Sequence, residues 1–399
     1  MTARRELDRR IVVGALGFTQ ILAWGTSFYF PAVFAGPIVN DTGWPLTWVV
    51  SGTSIGLLIA GLISPQVGKL IDIYGGRPVI LVSAPLNAAG LIIIGLAPSL
   101  PTFLIGWVIV GLAMGTGTYD AVFAALGRTY GNAARTPITN LTLIGGFAST
   151  VCWPLGAFLI AKFGWREACF IYAAIHIVIT WPLFLAVLHD RAKAAHLTTD
   201  PEGARFADHA PMRNEALVLA ILAAVMSIIF GVGSVMIVYL LLFLQERGVD
   251  FAIAVALGTL YGPSQIAARV VERLFGGRYH PLWTLIVAVA GMAAGMAMLY
   301  ADVGGLFLAI LIYAGAFGVS WVARGTVPLA LFGPRRYPRL IGKLALPSLI
   351  AQAAAPSIGA VLIERYGANS TIGLLTAALA INVVLVALLW LSCRRQLAS

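Results

Sequence analysis

Along the chain, apolar runs of about twenty residues alternate with short polar breaks. A hydrocarbon core about 30 Å thick is crossed by roughly 20 residues of α-helix, so each run is long enough to span a bilayer. The runs fall at 11–35, 46–71, 78–97, 102–126, 138–161 and 167–188. They resume at 215–244, 251–275, 282–300, 304–332, 340–363 and 370–392. Within lipid the backbone must satisfy its own hydrogen bonds, which selects helices over open strands. The pattern therefore predicts an all-α membrane protein with twelve transmembrane helices. The longest polar stretch, 189–214, contains Asp190, Arg191, Lys193, Asp200, Glu202, Arg205, Asp208 and Arg213. It divides the chain into a six-helix bundle at 1–188, a hydrophilic linker at 189–214 and a second six-helix bundle at 215–399.

The two halves echo each other. Gly156-Ala157-Phe158-Leu159-Ile160-Ala161-Lys162-Phe163-Gly164 ends the fifth run, and Gly359-Ala360-Val361-Leu362-Ile363-Glu364-Arg365-Tyr366-Gly367 ends the eleventh. The shared Gly-Ala-x-Leu-Ile-x-basic-aromatic-Gly at equivalent places predicts pseudo-symmetric bundles, and parallel six-helix repeats are a transporter architecture.

Composition strengthens the membrane reading. Apolar residues make up 60% of the chain and charged residues 11%, against roughly 25% charged in soluble domains. The formal charge of +10 could suggest nucleic acid. Its distribution excludes that, because the basic residues sit in short loops rather than on one face. One set of termini and loops carries most of them, including Arg4, Arg5, Lys69, Arg77, Arg128, Arg191, Arg273, Arg335 and Arg394; the opposite set carries only Lys162, Arg166, Arg247 and Arg365. The positive-inside rule then places both termini and the linker in the cytoplasm, with the protein in the inner membrane. The first apolar run is too long for a signal-peptide core and is expected to remain as the first helix.

Several chemistries lack their residues. Cys152, Cys169 and Cys393 are odd in number and without metal spacing, and the five histidines are scattered, so no metal site is expected. The Gly-x-Gly runs have no strand–loop–helix context, and no P-loop occurs, so no cofactor and no direct ATP drive are expected. No clustered nucleophile or acid–base set suggests an enzyme.

Between the second and third runs stands Gly68-Lys69-Leu70-Ile71-Asp72-Ile73-Tyr74-Gly75-Gly76-Arg77. It resembles the loop motif of the major facilitator superfamily in its spacing and in its place in the first cytoplasmic loop. Ile73 and Gly76 stand where that family commonly has basic residues. The resemblance implies a latch that stabilises the outward-facing state. Asp72 could approach the N-terminus of the eleventh helix, where partial positive charge accumulates. Gly68 permits close helix approach, and Gly75 and Gly76 permit a tight turn. Arg77 is expected to pair with an acid, with Asp120 on the fourth helix the best candidate. Asp120 reads either as a proton-coupling site or, preferably, as a structural partner of Arg77 or Arg128. A degenerate copy, Glu272-Arg273-Leu274-Phe275-Gly276-Gly277-Arg278, follows the eighth run.

Other stretches narrow the resemblance. Gly43-Trp44, Gly111 to Tyr119, Gly164-Trp165-Arg166 and Gln265-Ile266-Ala267-Ala268-Arg269 look like the monocarboxylate-transporter and oxalate:formate-antiporter branch. That resemblance implies that Arg269 pairs with a substrate carboxylate and that Tyr119 lines the cavity. Three departures weaken a proton-symport reading and leave exchange or facilitated movement of anions open: Gln265 replaces an aspartate common four residues before the arginine, no lysine occurs between Ile11 and Pro37, and Trp107 stands where many proton-coupled members of the superfamily have a fourth-helix arginine.

The residues themselves agree. An arginine within a span stays charged, faces protein or water rather than lipid, and has a planar fork suited to an oxyanion. Arg269 and Arg324 on the eighth and tenth helices thus favour a small anionic substrate, with Tyr29, Tyr119, Tyr239 and Trp321 as amphipathic walls and Gln265 beside the arginine. The competing account is snorkelling to the cytoplasmic surface, with Glu272 as partner for Arg269; for any one aromatic taken singly, helix packing is the competing role. The expected function is secondary active or facilitative transport of a small organic anion by alternating access, as a monomer in lipid. An exporter of lipophilic or drug-like compounds and a transport-dead sensor are the alternatives.

Overall fold

A computed structural model describes residues 9–188 and 214–397, with side chains described as far as Cys393. The linker expected at 189–214, apart from Asn214, and the terminal residues Arg4 and Arg5 lie outside the described residues. Every described element is a helix. In order these are α1 (Arg9–Gly25), α2 (Pro31–Thr42), α3 (Leu46–Tyr74), α4 (Gly76–Leu96), α5 (Leu100–Gly117), α6 (Tyr119–Tyr130), α7 (Arg135–Gly145), α8 (Ala148–Phe163), α9 (Trp165–Ile175) and α10 (Trp181–Val187). Then follow α11 (Glu215–Gln245), α12 (Phe251–Thr259), α13 (Tyr261–Phe275), α14 (Pro281–Ala301), α15 (Leu306–Phe332) and α16 (Tyr337–Leu397). Among the described residues, nine helical stretches are long and apolar enough to cross a membrane, and the protein is a multi-pass membrane protein.

Several expected single helices are broken, each for a local reason. The run at 11–35 is α1 and α2 joined by a turn, because Pro31 has no N–H to donate to the preceding turn. Thr26 and Ser27 hydroxyls take the carbonyls of Leu22 and Ala23 at 2.8 and 2.5 Å. Extended backbone at Thr118 divides α5 from α6, and the Gln20 side chain donates to the Gly117 carbonyl there at 2.8 Å. Between α9 and α10 the helix widens to a π turn at His176–Thr180, where the Trp181 N–H reaches back to the His176 carbonyl. Pro182 follows directly and cannot donate in the α pattern.

The chain forms two compact units. One lies within Met1–Ala207 and adds Gly333–Gly342; the other lies within Asp208–Phe332 and Lys343–Ser399. In the first unit, glycines let helix backbones meet. A methyl group on Gly111 would fall 2.7 Å from the Gly56 carbonyl, and one on Gly52 would fall 2.3 Å from the Trp107 ring. Trp107 is fully buried against Phe30 and Phe103, so this position packs the core. In the second unit Gly295 meets the backbone of α15 in the same way. The sparsely charged loops also have a structural use: Arg166 donates to the carbonyls of Gly95 and Ala97 at the end of α4, and Arg247 to those of Leu299 and Tyr300 at the end of α14. Cations there complement the negative end of each helix.

Candidate functional site

In the second unit, Gln265 and Arg269 lie four residues apart on α13 and so share one helix face. Gly318 on α15 brings the two backbones together: a methyl group there would fall 2.6 Å from Gln265 Cα and 2.7 Å from its carbonyl oxygen. This approach puts the Gly318 carbonyl 2.9 Å from Arg269 Nε, which donates to it. Arg269 Nη2 donates to Gln265 Oε1 at 3.2 Å. The side chain is 3% exposed, so the guanidinium is buried rather than snorkelling to headgroups. Glu272, a possible partner by sequence, accepts from the Thr284 hydroxyl at 3.2 Å.

Arg324 is also 3% exposed. Its guanidinium carbon lies 4.5 Å from the centroid of the Phe230 ring and 5.8 Å from that of Trp321, a cation–π arrangement. Trp321 packs on Phe230 at 4.4 Å. Phe230, on α11, went unremarked in the sequence because an isolated phenylalanine in an apolar run carries no signal of its own. Tyr239 is half-buried, and its hydroxyl donates to the Pro356 carbonyl at 3.0 Å. Among the described residues no aspartate, glutamate or lysine is buried, so the fixed buried charge is positive.

The first unit holds the remaining candidates. Tyr119, 4% exposed, stacks on Phe123 and leans on Trp24. A methyl group on Gly145 would fall 2.4 Å from its hydroxyl. Tyr29 is half-buried and meets Phe28 and Trp153 edge-on.

The loop motif forms a compact joint within this unit. Arg339 Nε donates to Asp72 Oδ2 at 2.5 Å. A methyl group on Gly68 would fall 2.4 Å from the Pro338 carbonyl, and one on Gly342 would fall 2.4 Å from the Ser64 carbonyl. The Ser64 hydroxyl donates to the Gly342 carbonyl at 2.9 Å. Gly75 carries the turn, with φ 88° and ψ 168°. Gly76 does not share that task. It opens α4, where a side chain would collide with Ala125. Arg128 donates to the Ile71 carbonyl at 2.8 Å, while Arg77 and Asp120 are partly buried at the starts of α4 and α6.

The sequence model of the Major Facilitator Superfamily matches residues 16–281. The chain belongs to the major facilitator superfamily. It is 26% identical over 306 residues to monocarboxylate transporter 13 of Bos taurus, covering 74% of this chain and 64% of that protein. It is 32% identical over 145 residues to monocarboxylate transporter 11 of Mus musculus, covering 35% of this chain and 30% of that one. This facilitator chain thus spans less than two thirds of the length of those relatives. Its fold is similar to the human organic anion transporter MFSD10, with a TM-score of 0.72 at 17% identity, covering 95% of this chain and 99% of that one. It is also similar to the E. coli fucose:proton symporter FucP, with a TM-score of 0.69 at 13% identity, covering 95% and 97%.

Proposed function

We propose that this facilitator moves a small organic anion, a carboxylate, by alternating access of two six-helix halves joined by the 189–214 linker. The observation carrying this reading is the buried pair Arg269 and Arg324, with no buried carboxylate or lysine among the described residues. Guanidinium groups remain charged at any physiological pH, and a buried cation favours an anionic partner. Arg269 is the primary carboxylate ligand, oriented by Gln265 and the Gly318 carbonyl. Arg324, held on Phe230 and Trp321, supplies the second charge. Tyr29, Tyr119 and Tyr239 are assigned as amphipathic walls. The names of the monocarboxylate transporters and of the organic anion transporter support the same class of cargo. Buried cations work against an exporter of cationic drugs.

We assign twelve crossings, as a monomer in the inner membrane with both termini cytoplasmic. The helical stretches Leu100–Phe163 and Tyr337–Cys393 run 64 and 57 residues. At about 1.5 Å per residue each exceeds twice the hydrocarbon thickness, which supports two crossings apiece, with α1–α2 supplying one more. The joint around Asp72 and Arg77 acts as the latch of the transport cycle.

Counterflow in proteoliposomes tests the cargo, using monocarboxylates, dicarboxylates, aromatic acids and cationic drugs. Carboxylate exchange that disappears in Arg269→Ala is the expected result. Carriage of cations, with Arg269→Ala as active as the unaltered protein, would overturn the reading.

A further inference from the structure

The unit that holds Arg269 and Arg324 also buries an unpaired amide. Pro356 on α16 has no N–H, so it cannot donate to the Gln352 carbonyl four residues earlier. The Ser234 hydroxyl on α11 donates to that carbonyl instead, at 3.0 Å, and the Tyr239 hydroxyl donates to the Pro356 carbonyl at 3.0 Å. Two bonds from α11 thus fix the backbone around Gln352. Its side chain has no such support. Gln352 is 1% exposed, and neither Oε1 nor Nε2 has a hydrogen-bond partner among the described residues. With both atoms unpaired, exchanging their places changes nothing. The Ser348 hydroxyl, one turn earlier, faces the Leu344 and Ala345 carbonyls of its own helix.

Short steps connect this amide with both arginines. On α11, Ser234 adjoins Gly233, where a methyl group would fall 2.3 Å from the Phe317 ring. Phe317 precedes Gly318, whose carbonyl accepts from Arg269. One turn before Ser234 comes Phe230, whose ring carries the Arg324 guanidinium. Gln352 therefore shares one layer of α11 and α15 with the two cations.

Buried polar groups in native proteins are nearly always paired, and leaving one unpaired is costly. The amide edge presents an acceptor, Oε1, next to a donor, Nε2. A second carboxylate on the cargo offers acceptors alone and sets oxygen against Oε1. An ammonium offers donors alone and sets N–H against Nε2. A hydroxyl is a single atom and cannot lie in line with both. A carbamoyl group presents C=O and N–H side by side, and it closes a ring of two hydrogen bonds with the glutamine. A carboxylic acid has the same edge but is ionised near neutral pH.

We propose that Gln352 is a specificity-determining residue that receives a carbamoyl group, so that the cargo is a carboxylate bearing a primary amide or ureido group at its far end. The assignment rests on the carboxylate reading, in which Arg269 and Arg324 hold the anionic end.

The test uses the full chain in proteoliposomes and two cargoes of one shape. Succinamate and levulinate differ only by NH2 in place of CH3. Counterflow of succinamate is expected to exceed that of levulinate by roughly tenfold or more at equal concentration. Gln352→Met keeps the length of the side chain and removes both hydrogen-bonding atoms. It is expected to bring the two rates together while levulinate exchange persists. A purely structural role would lower both rates and leave their ratio unchanged. Equal rates in the unaltered protein would overturn the proposal, leave the amide to a buried water, and let the carboxylate reading stand. A preference that survives in Gln352→Met would also overturn it. Exchange of no carboxylate at all would bring down the carboxylate reading, and this assignment with it. Should Gln352→Met fail to fold, the unaltered protein still decides. Succinamate must raise its unfolding midpoint in detergent more than levulinate does at the same concentration, and an equal rise would refute the assignment.

Discussion

Gly164 and Gly367 adopt the same backbone conformation, φ 93° with ψ 164° and φ 81° with ψ 165°. They close the Gly-Ala-x-Leu-Ile repeats found in the two halves of the chain, so sequence echo and backbone geometry coincide. Such angles are open to glycine almost alone. A methyl group on Gly367 would meet nothing within 4 Å. Gly367→Ala should therefore cost about 1–3 kcal/mol through the backbone alone, read as a lower unfolding midpoint in detergent. An unchanged midpoint would mean that the chain relaxes to ordinary angles there.

Arg269→Lys should fail nearly as fully as Arg269→Ala. Lysine keeps the charge but loses the planar fork that donates both to the Gly318 carbonyl and to Gln265. Counterflow at least tenfold below the unaltered protein is expected. Near-normal exchange in the lysine variant would reduce the role of Arg269 to charge alone.

Gly318→Ala tests the scaffold behind that arginine. The added methyl group must push α15 from the α13 backbone by displacing Gln265. Initial rates of carboxylate uptake should fall while the side chains of Arg269 and Gln265 remain unaltered. Wild-type rates would show that the close approach is not needed to orient Arg269.

The two parts of the Asp72 joint should differ in strength. Arg339 is 56% exposed and Asp72 22%, so Asp72→Asn should cost no more than about 1 kcal/mol of stability. Gly68→Ala drives a methyl group into the Pro338 carbonyl, a rigid neighbour, and should cost about 1–3 kcal/mol. Thermal unfolding of both variants gives the order; a larger loss in Asp72→Asn would place the strength of the joint in its ion pair.

Cys152, Cys169 and Cys393 are free and buried. A membrane-permeant maleimide should leave all three unlabelled in folded protein and react with them after denaturation, as counted by intact mass. Labelling of folded protein would reveal opening of the helices around them.

Hydropathy made the helical segments legible, because each stretch must satisfy its backbone in lipid whatever its neighbours do. It could not show the interruptions at Thr26, Thr118 and His176, where apolar content is continuous and the break depends on a proline or on a side chain from elsewhere. Arg269 was legible as a buried cation, since arginine in an apolar run stands out. Its contact with Gly318 was not, because a separation of 49 residues is resolved only by how two helices cross. Gln352 does not stand out in an apolar run, and Ser234, which holds its carbonyl, is 118 residues away.

The Asp72–Arg339 contact spans 267 residues. A ribosome adds roughly 5–20 residues per second, so tens of seconds separate the synthesis of its two partners. Throughout that interval the first unit is inserted but lacks Gly333–Gly342 against Ser64, Gly68 and Asp72. The packing around α3 is therefore completed only when the first turns of α16, the last helix, have been made.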